Sequence, residues 1–318
     1  MTIFSTWPVS CNPARLGYRP AGTKFPKLAA GDIEGLIPLE RRGTFNAAKN
    51  HQPMNLNQAQ RAAVRAARAV GALMRRELHA SKRAQSVTQH DIKLELDVRC
   101  QGLIEKALRR SFPEVALLGE EGVAGGADAE YRWVVDPIDG TVNFAYGIPH
   151  ACVSIALQGQ AHGSRPADYE DGYNTLVGVV YDPFCRELWT AVRGQPARLN
   201  GKSIRVSHRR KLREAVVSIG FTKSRESLDA TLPYFNGLVH RVRKIRMMGA
   251  AALGLTYVAC GRFDAYIECE IRLWDIAAGG LIIESAGGEY WHEVRPGEHA
   301  YRVTASNGLL RRRLRVPR

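Results

Sequence analysis

The chain has 318 residues, with 45 Lys and Arg against 31 Asp and Glu, and a formal net charge of +14. Hydrophobic residues make up 45% and charged residues 24%, which are ordinary values for globular proteins and exclude disordered, collagen-like and coiled-coil chains. No apolar run approaches the roughly 18 residues that a membrane span requires. The basic excess favours anionic partners, either polyanions or small anionic molecules.

The six cysteines form no CxxC pair and have no histidine beside them at metal-ligand spacing. The sequence therefore predicts neither a zinc module nor a disulfide framework. A reducing, cytoplasmic compartment is the expected location for such a chain.

The first segment differs from the rest of the chain. Residues 1–53 have scattered Pro and Gly, no apolar periodicity, and no acidic residue before Asp32. We expect residues 1–56 to form a poorly ordered N-terminal extension. A targeting peptide and a true start at Met54 are the alternatives.

The apolar periodicity then predicts helices at Asn57–Ala80, with Asn57 as N-cap, and at about Leu96–Arg110. Short β runs follow at Val115–Leu118, Arg132–Val135, Ala151–Leu157, Leu176–Tyr181 and Glu187–Val192. The segment from Gln158 to Asn174 reads as a long exposed hairpin loop. Downstream, helices are predicted at Arg225–Val242, Gly249–Gly261 and Trp274–Ala286, with strands at Phe263–Glu268 and Arg302–Ala305. Helices alternating with strands predict a layered α and β fold.

The most informative segment is WVVDPIDGTVNF, residues 133–144. Its three apolar residues predict a strand that ends at Asp136, and Asp139 follows three residues later. The intervening proline restricts the backbone of the turn, and the following glycine permits conformations that other residues disfavour. Both carboxylates can therefore point at one spot. Such oxygen ligands suit hard divalent cations, and the amides of Gly140 and Thr141 can bind an anion.

Two other acidic sites are candidates to join these two aspartates. Glu120 and Glu121 stand directly after one strand, and Asp275 stands at the start of an apolar helix. Taken singly, Asp275 could be a first-turn carboxylate stabilised by the helix dipole, and the glutamates a solvated turn. Two carboxylates about 4 Å apart repel by roughly 4 kcal/mol at an effective dielectric of 20, so convergence of all these acids would require metal ions or raised pKa values.

These three motifs resemble the signatures of the inositol monophosphatase family: GEEG at 119–122, WVVDPIDGTVNF at 133–144, and LWDIAAGGLIIESAGG at 273–288. The resemblance runs from Asn57 to the C-terminus. It implies an α+β domain at residues 57–318 with the layered αβαβα fold of sugar phosphatases. It also implies a magnesium-dependent, lithium-sensitive phosphomonoesterase that forms a homodimer.

The resemblance carries a metal site onto this chain. Glu120, Asp136 and the Ile138 carbonyl would hold a first Mg²⁺, and Asp136, Asp139 and Asp275 a second. Glu120 would also face a third, loosely bound ion through water.

The resemblance pairs Asp97 with Thr141 to orient and deprotonate the attacking water, with Glu120 as a further catalytic residue and no covalent phosphoenzyme. The spacing before the GEEG motif selects Asp97, although Leu94 stands where the family often has a threonine. Phosphate would be bound by Asp139, Gly140 and Thr141.

Substrate choice depends on fewer residues. Glu268 matches the position that accepts hydrogen bonds from ring hydroxyls in inositol enzymes; alternatively it ends a strand in solvent. A turn of small residues would lie beside the substrate: Gly249, Ala250 and Ala251. Inositol monophosphate is therefore the expected small phosphorylated metabolite. Relatives that act on histidinol phosphate, fructose 1,6-bisphosphate, 3'-phosphoadenosine 5'-phosphate or NADP leave those substrates as alternatives.

Basic runs at Arg193–Arg213, Arg241–Arg246 and Arg311–Arg318 favour a second functional class, nucleic-acid binding. The sequence has no recognisable nucleic-acid motif, and aromatic residues are not interleaved with the basic ones. Such runs are usually solvated surfaces. Nucleic acid is therefore not expected as the primary partner, and nucleic-acid binding remains open as a secondary activity.

Overall fold

The computed structural model of the chain describes residues 54–81, 84–87, 92–126, 129–162, 167–221 and 225–314. The expected N-terminal extension lies, up to residue 53, outside these residues. In the described part, no helix is long and apolar enough to cross a membrane.

The helices of the described residues are α1 (Leu56–Glu77), α2 (Glu95–Arg109), α3 (Thr141–Ala145), α4 (Arg225–Val239), α5 (Ala251–Ala259), α6 (Leu273–Ser285) and α7 (Arg311–Leu314). The first strands are β1 (Ala84–Val87), β2 (Ile92–Leu94), β3 (Ala116–Gly119), β4 (Gly122–Ala124), β5 (Tyr131–Asp139), β6 (Cys152–Gln160), β7 (Tyr173–Asp182) and β8 (Glu187–Val192). The remaining strands are β9 (Arg198–Leu199), β10 (Lys202–Ser203), β11 (Val216–Ile219), β12 (Lys244–Arg246), β13 (Ala265–Arg272), β14 (Glu289–Val294) and β15 (Ala300–Ser306).

Two large sheets organise the fold. The eight-stranded sheet has the order β10-β9-β8-β7-β6-β5-β3-β4 and is antiparallel except for the β3–β5 pair. The five-stranded sheet has the order β12-β11-β13-β15-β14, in which β11 runs parallel to both of its neighbours. A separate hairpin joins β1 and β2.

The sheets and helices form five layers. Helices α1 and α2 cover one face of the eight-stranded sheet, and α5 and α6 fill the space between the two sheets. Helix α4 packs on the far face of the five-stranded sheet. The predicted layered αβαβα arrangement is therefore confirmed, and the middle helical layer lies at the centre of the largest apolar core, which both sheets complete.

Helix α1 begins earlier than the sequence pattern predicts. Its N-cap is Asn55, whose side chain accepts a hydrogen bond of 3.0 Å from the amide of Gln58. The prediction of Asn57 as N-cap is therefore wrong, because Asn57 already lies inside the helix. Asparagine at either position fits capping preferences, and only the backbone geometry distinguishes them.

The predicted loop from Gln158 to Asn174 is shorter and less exposed than expected. Strand β6 continues to Gln160, β7 begins at Tyr173, and Gln158 is fully buried. Tyr169 is buried too, because its ring packs against those of His292 and Tyr301 at centroid distances of 4.6 and 5.7 Å. Aromatic packing therefore fixes the second half of this loop against β14 and β15.

Strand β7 and helix α6 approach closely at Gly178. A Cβ atom at this glycine would lie 2.7 Å from the carbonyl oxygen of Ala278 and 3.2 Å from its Cα. The obstructing atoms belong to the backbone of a buried helix, so they cannot move aside as a flexible side chain would. This contact sets the spacing between the eight-stranded sheet and the middle layer.

We predict that Gly178→Ala lowers the free energy of unfolding by about 1–3 kcal/mol, because the added methyl separates α6 from β7. The matched control is Gly102→Ala in α2, where nothing lies within 4 Å of the new methyl; there the helix should gain about 0.5–1 kcal/mol. Urea unfolding of both variants measures the difference. Equal free energies of unfolding for the two variants would contradict the close contact at Gly178.

Candidate metal centre and active site

The end of β5 explains why two carboxylates share one side of a strand. Residues three apart on a regular strand face opposite sides. Here Asp136 pairs with Ser154 and Asp139 with Cys152, so β5 contains one more residue than β6 between these pairs. This bulge sits at the proline, which could not donate to a sheet hydrogen bond. The amide of Ile138 donates to Asp136 Oδ1 at 2.9 Å and fixes the turned backbone.

Asp139 is held by the first turn of α5. The amides of Ala251 and Ala252 donate to its two carboxylate oxygens at 3.0 and 2.8 Å. The thiol of Cys152 donates to Oδ2 at 3.4 Å. Helix N-termini stabilise negative charge, so α5 both positions this carboxylate and favours its ionised form.

Asp275 comes from α6, where its Oδ2 accepts a hydrogen bond of 3.0 Å from the amide of Arg272. The hydroxyl of Ser154 donates to the Trp274 carbonyl at 3.0 Å and ties this first helical turn to β6. As a result, carboxylate oxygens of Asp136, Asp139 and Asp275 all lie within 4.8 Å of one another. The capping interaction considered for Asp275 therefore exists together with the predicted convergence.

Burial and mutual repulsion dominate the electrostatics of this cluster. Burial raises the pKa of Asp136 well above its ordinary value, and the charges of Glu120, Asp275 and Asp139 raise it further. Burial also raises the pKa of Asp139, but only to about 6, because the two α5 amides and Cys152 favour its ionised form. The charge of Glu120 therefore acts on both aspartates, and its role as a metal ligand stays a prediction.

The donor set fits a hard divalent cation. All the clustered ligand atoms are carboxylate oxygens, and the side chains of Asp136 and Asp139 are only 1% and 6% exposed. Oxygen-only sets suit Mg²⁺, Mn²⁺ or Ca²⁺ better than zinc. Carboxylates this close and this buried repel strongly unless cations or protons neutralise them.

The turn after the cluster begins α3 at Thr141. Gly140 has φ +90°, and a Cβ atom there would lie 3.0 Å from the His150 carbonyl oxygen, so this position requires glycine. The hydroxyl of Thr141 donates to the Ile138 carbonyl at 2.9 Å. That carbonyl is the one the family resemblance assigns to a metal.

Asp97 is buried, at 2% exposure, and lies on the first turn of α2. Its Oδ2 accepts a hydrogen bond of 2.8 Å from the amide of Leu94, just as Asp275 accepts one at the start of α6. Because α3 packs beside β2, which leads directly into α2, the fold brings the neighbourhoods of Asp97 and Thr141 together. The pairing of these two side chains stays a prediction.

Glu268 lies within β13, which continues beyond it to Arg272 and therefore does not end there. Its carboxylate accepts a hydrogen bond from the hydroxyl of the buried Tyr266. A Cβ at Gly220 would lie 2.2 Å from this carboxylate, so the glycine leaves the space that the acid occupies.

Tyr266 is a residue that the sequence patterns did not single out. Burial raises its pKa well above the ordinary value, and the charges of Glu268, Asp139 and Asp275 act in the same direction. The phenol therefore bonds the predicted substrate acid and also lies within the electrostatic reach of Asp139 and Asp275. Alternating apolar residues in β13 gave no signal that this hydroxyl would be near the site.

Two amide side chains also escaped the sequence patterns. Gln101 on α2 accepts from the amide of Glu121 at 3.0 Å and donates to the Gly122 carbonyl at 3.1 Å, so it clamps the turn that carries Glu120. Asn143 on α3 donates to the carbonyls of His150 and Met248 at 2.9 and 2.8 Å.

The Asn143 contacts connect the turn after β5 to the small-residue turn before α5. In that second turn Gly249 has φ +71° and Ala250 is the N-cap of α5, while the Ala251 amide is already bonded to Asp139. The predicted substrate turn is therefore built as part of the same structure as the carboxylate cluster.

Comparison with known proteins agrees with this geometry. A model of the inositol monophosphatase family matches residues 55–308. Inositol monophosphatase 2 of Solanum lycopersicum is 40% identical over 234 residues, covering 71% of this chain and 84% of its own. Nus factor SuhB of Xylella fastidiosa is 39% identical over 230 residues, covering 71% of this chain and 78% of its own.

Solved structures show the same fold. The crystal structure of the extragenic suppressor protein SuhB from Bartonella henselae superposes with a TM-score of 0.72 at 31% identity, covering 81% of this chain and 96% of that one. The family match spans the helix that begins at Leu56 and all three acidic motifs. The chain belongs to the inositol monophosphatase family and is a phosphomonoesterase.

Proposed function

We propose that this chain is a Mg²⁺-dependent phosphatase of small phosphorylated metabolites, with inositol monophosphate as its substrate. The proposal rests on one observation: carboxylate oxygens of Asp136, Asp139 and Asp275 lie within 4.8 Å of one another, beside a glycine turn suited to phosphate. The resemblance to inositol monophosphatases supports the substrate class.

Two to three Mg²⁺ ions would be held by these side chains. The first would take Glu120, Asp136 and the Ile138 carbonyl, and the second Asp136, Asp139 and Asp275. When bound, such ions lower the pKa of water and neutralise charge that develops on the phosphoryl and leaving-group oxygens. Lithium would inhibit the enzyme by occupying one of these positions.

The protein groups then position the reactants. The amides of Gly140 and Thr141, together with Asp139, would orient the phosphate so that the attacking water can reach the phosphorus. Asp97 and Thr141 would orient water and accept its proton, and Glu120 would take part through a water. We propose direct attack by water without a phosphoenzyme.

Recognition of the alcohol part would fall to Glu268 and the turn of Gly249, Ala250 and Ala251. A carboxylate fixed by Tyr266 can accept hydrogen bonds from ring hydroxyls, which favours a polyol. The same fold also hosts phosphatases of histidinol phosphate, fructose 1,6-bisphosphate, 3'-phosphoadenosine 5'-phosphate and NADP, which are the alternative substrates.

We further propose a cytoplasmic homodimer. The cysteines among the described residues are all free, which supports a reducing compartment. The dimer rests on family resemblance alone.

A panel of monophosphates tests the proposed specificity. With Mg²⁺, we expect inositol 1-phosphate to be hydrolysed with a higher kcat/KM than histidinol phosphate, fructose 1,6-bisphosphate, 3'-phosphoadenosine 5'-phosphate or NADP. A higher value for any other member would reassign the substrate. Absence of phosphate release from the whole panel would contradict the Mg²⁺-dependent mechanism.

Asp136→Asn separates catalysis from folding. We predict that it reduces phosphatase activity by at least about 10³-fold, because one carboxylate shared by two metal positions is lost. Without metal, the variant should unfold at a higher temperature than the wild type, since asparagine keeps the acceptor for the Ile138 amide and removes one repelling charge. Thermal unfolding in EDTA and in Mg²⁺ measures this, and Mg²⁺ should stabilise only the wild type. A less stable metal-free variant would contradict the repulsion.

Gln101→Met tests the clamp behind Glu120. Losing two hydrogen bonds of roughly 1 kcal/mol each should raise the Mg²⁺ concentration for half-maximal activity about 10-fold. Activity at saturating Mg²⁺ should change less. The control is Gly102→Ala, one residue further along α2, which should leave the Mg²⁺ dependence unchanged. An unchanged Mg²⁺ requirement in Gln101→Met would show that the clamp does not position Glu120.

Tyr266→Phe tests the support of Glu268. The ring still packs on Gly254, but the Glu268 carboxylate loses the hydrogen bond from the Tyr266 hydroxyl. We expect KM for inositol 1-phosphate to rise roughly 10-fold with kcat nearly constant. Phenyl phosphate, which has no ring hydroxyls, should be hydrolysed as by the wild type. Equal losses on both substrates would assign Tyr266 to the carboxylate cluster instead.

A further inference from the structure

Basic segments that are distant in sequence meet at one end of the five-stranded sheet. The amide of Arg243 donates to the Ala215 carbonyl at 2.9 Å, which places the segment before β12 beside the one before β11. Arg241 Nη2 donates to the Arg313 carbonyl at 2.6 Å, and this brings in α7. We call this region the basic face; its exposed cations are Arg205, Arg209, Arg210, Lys211, Arg213, Arg241, Arg243, Lys244, Arg311, Arg312 and Arg313.

Buried leucines explain the convergence. Leu212, Leu238, Leu310 and Leu314 belong to one apolar cluster beneath the basic face. Each has basic residues next to it or within a few positions in the sequence, so burial of the leucines directs the neighbouring arginines toward solvent. The basic runs are therefore not scattered surface charge, because one small core holds them in fixed positions.

A buried acid fastens the most basic of these segments. Asp264 is fully buried and its carboxylate accepts hydrogen bonds from the Ser207 hydroxyl, from Arg209 Nη1 at 2.9 Å and from the Val216 amide at 2.8 Å. Asn307 adds donors to Ser207 Oγ and the Arg209 carbonyl, both at 2.9 Å. Residues 205–211 line a groove of about 740 Å³ together with Glu214, Cys260 and Gly261.

Few acids neutralise the basic face. Within the described ranges, its ion pairs are Arg209 with Asp264, Lys211 with Glu214 and Arg311 with Glu289, and the last two are long, at 3.9 and 3.8 Å. Arginine predominates among its cations. The planar guanidinium matches the oxygens of a phosphate group in two-point contacts, which lysine cannot reproduce.

The basic face lies away from the carboxylate cluster. Strands β11 and β13 are parallel, and Gly220 and Glu268 stand at the end of this pair that faces the site, whereas Arg213 and Asp264 stand at its start. The four residues of β11 span about 13 Å at roughly 3.3 Å each. The other basic residues of the first run belong elsewhere, since Arg193 pairs with Asp168 and Arg198 lies on β9.

We propose that the basic face binds the phosphodiester backbone of a nucleic acid, as an activity separate from phosphate ester hydrolysis. A cluster of exposed arginines on a common support, with a groove lined by some of them, suits the repeated phosphates of a polyanion. Since aromatic residues are not interleaved with these arginines in the sequence, the contacts are to the backbone rather than to stacked bases, and binding is insensitive to base sequence.

The test compares two triple variants with equal loss of charge. Arg210→Gln, Arg213→Gln and Arg243→Gln remove three cations of the basic face. The matched control removes three exposed arginines of α1, by Arg61→Gln, Arg65→Gln and Arg68→Gln. Fluorescence anisotropy with labelled RNA and DNA duplexes of about 20 base pairs, over a range of salt concentrations, gives the affinity.

We expect wild type and control to bind both duplexes with similar affinity and a steep salt dependence. The basic-face triple should bind at least about 10-fold more weakly at about 0.1 M salt, with a slope of log affinity against log salt reduced by about 2 to 3. Phosphate release should be unchanged in both triple variants. If the wild type binds nucleic acid but releases no phosphate, the proposed enzymatic function is wrong while this inference stands.

Three results would overturn the inference. If both triple variants lose the same affinity for the duplexes, net charge alone would explain the binding. Absence of binding at about 0.1 M salt would mean that the basic face is merely solvated. Binding to vesicles containing phosphatidylserine through the same arginines, without binding to either duplex, would assign the face to anionic membranes instead.

Discussion

The structure depends on bringing negatively charged carboxylates together in a buried place. Asp136 and Asp139 are almost completely buried and Asp275 touches the same small volume, so their repulsion opposes folding unless it is neutralised. The nearby backbone is arranged to hold them despite this. A bulge turns the end of β5, the amides of α5 support Asp139, and Ser154 ties α6 to β6 beside Asp136.

Three of the acids are held at helix starts. Asp97 and Asp275 each sit on the first turn of a helix and accept a backbone hydrogen bond from the residue three positions earlier, and Asp139 receives the first amides of a third helix. The positive ends of α2, α5 and α6 therefore each carry or receive one acid. This fixed polarity lets the protein keep acids in place that hydrophobic packing alone would expel.

The sequence predicted the residues that carry local signals, and it missed those defined by long-range contacts. Asp136, Asp139 and Asp275 stand at strand and helix ends, which a neighbouring proline, glycine or apolar run indicates in the sequence. Gln101 bonds backbone groups 20 and 21 residues further along the chain. Tyr266 bonds the nearby Glu268, but the charges of Asp139 and Asp275 act on it only in the folded structure, and single-sequence patterns contain no such information. The boundary errors have two causes: Asn55 and Asn57 are chemically equivalent caps that only the backbone geometry distinguishes, whereas the packing of Tyr169 on β14 and β15 depends on the assembled sheets.

The fold shows where the residues behind the net charge of +14 are located. Much of the arginine surplus is held at one end of the five-stranded sheet by a leucine cluster, while the acids collect where its other end meets the middle helical layer. Separation of this kind lets one fold handle two anions differently: cations bound by carboxylates would contact a small phosphate ester, whereas guanidinium groups would contact a polymer directly. Because the parallel pair β11 and β13 runs between the two regions, displacement of these strands would affect both.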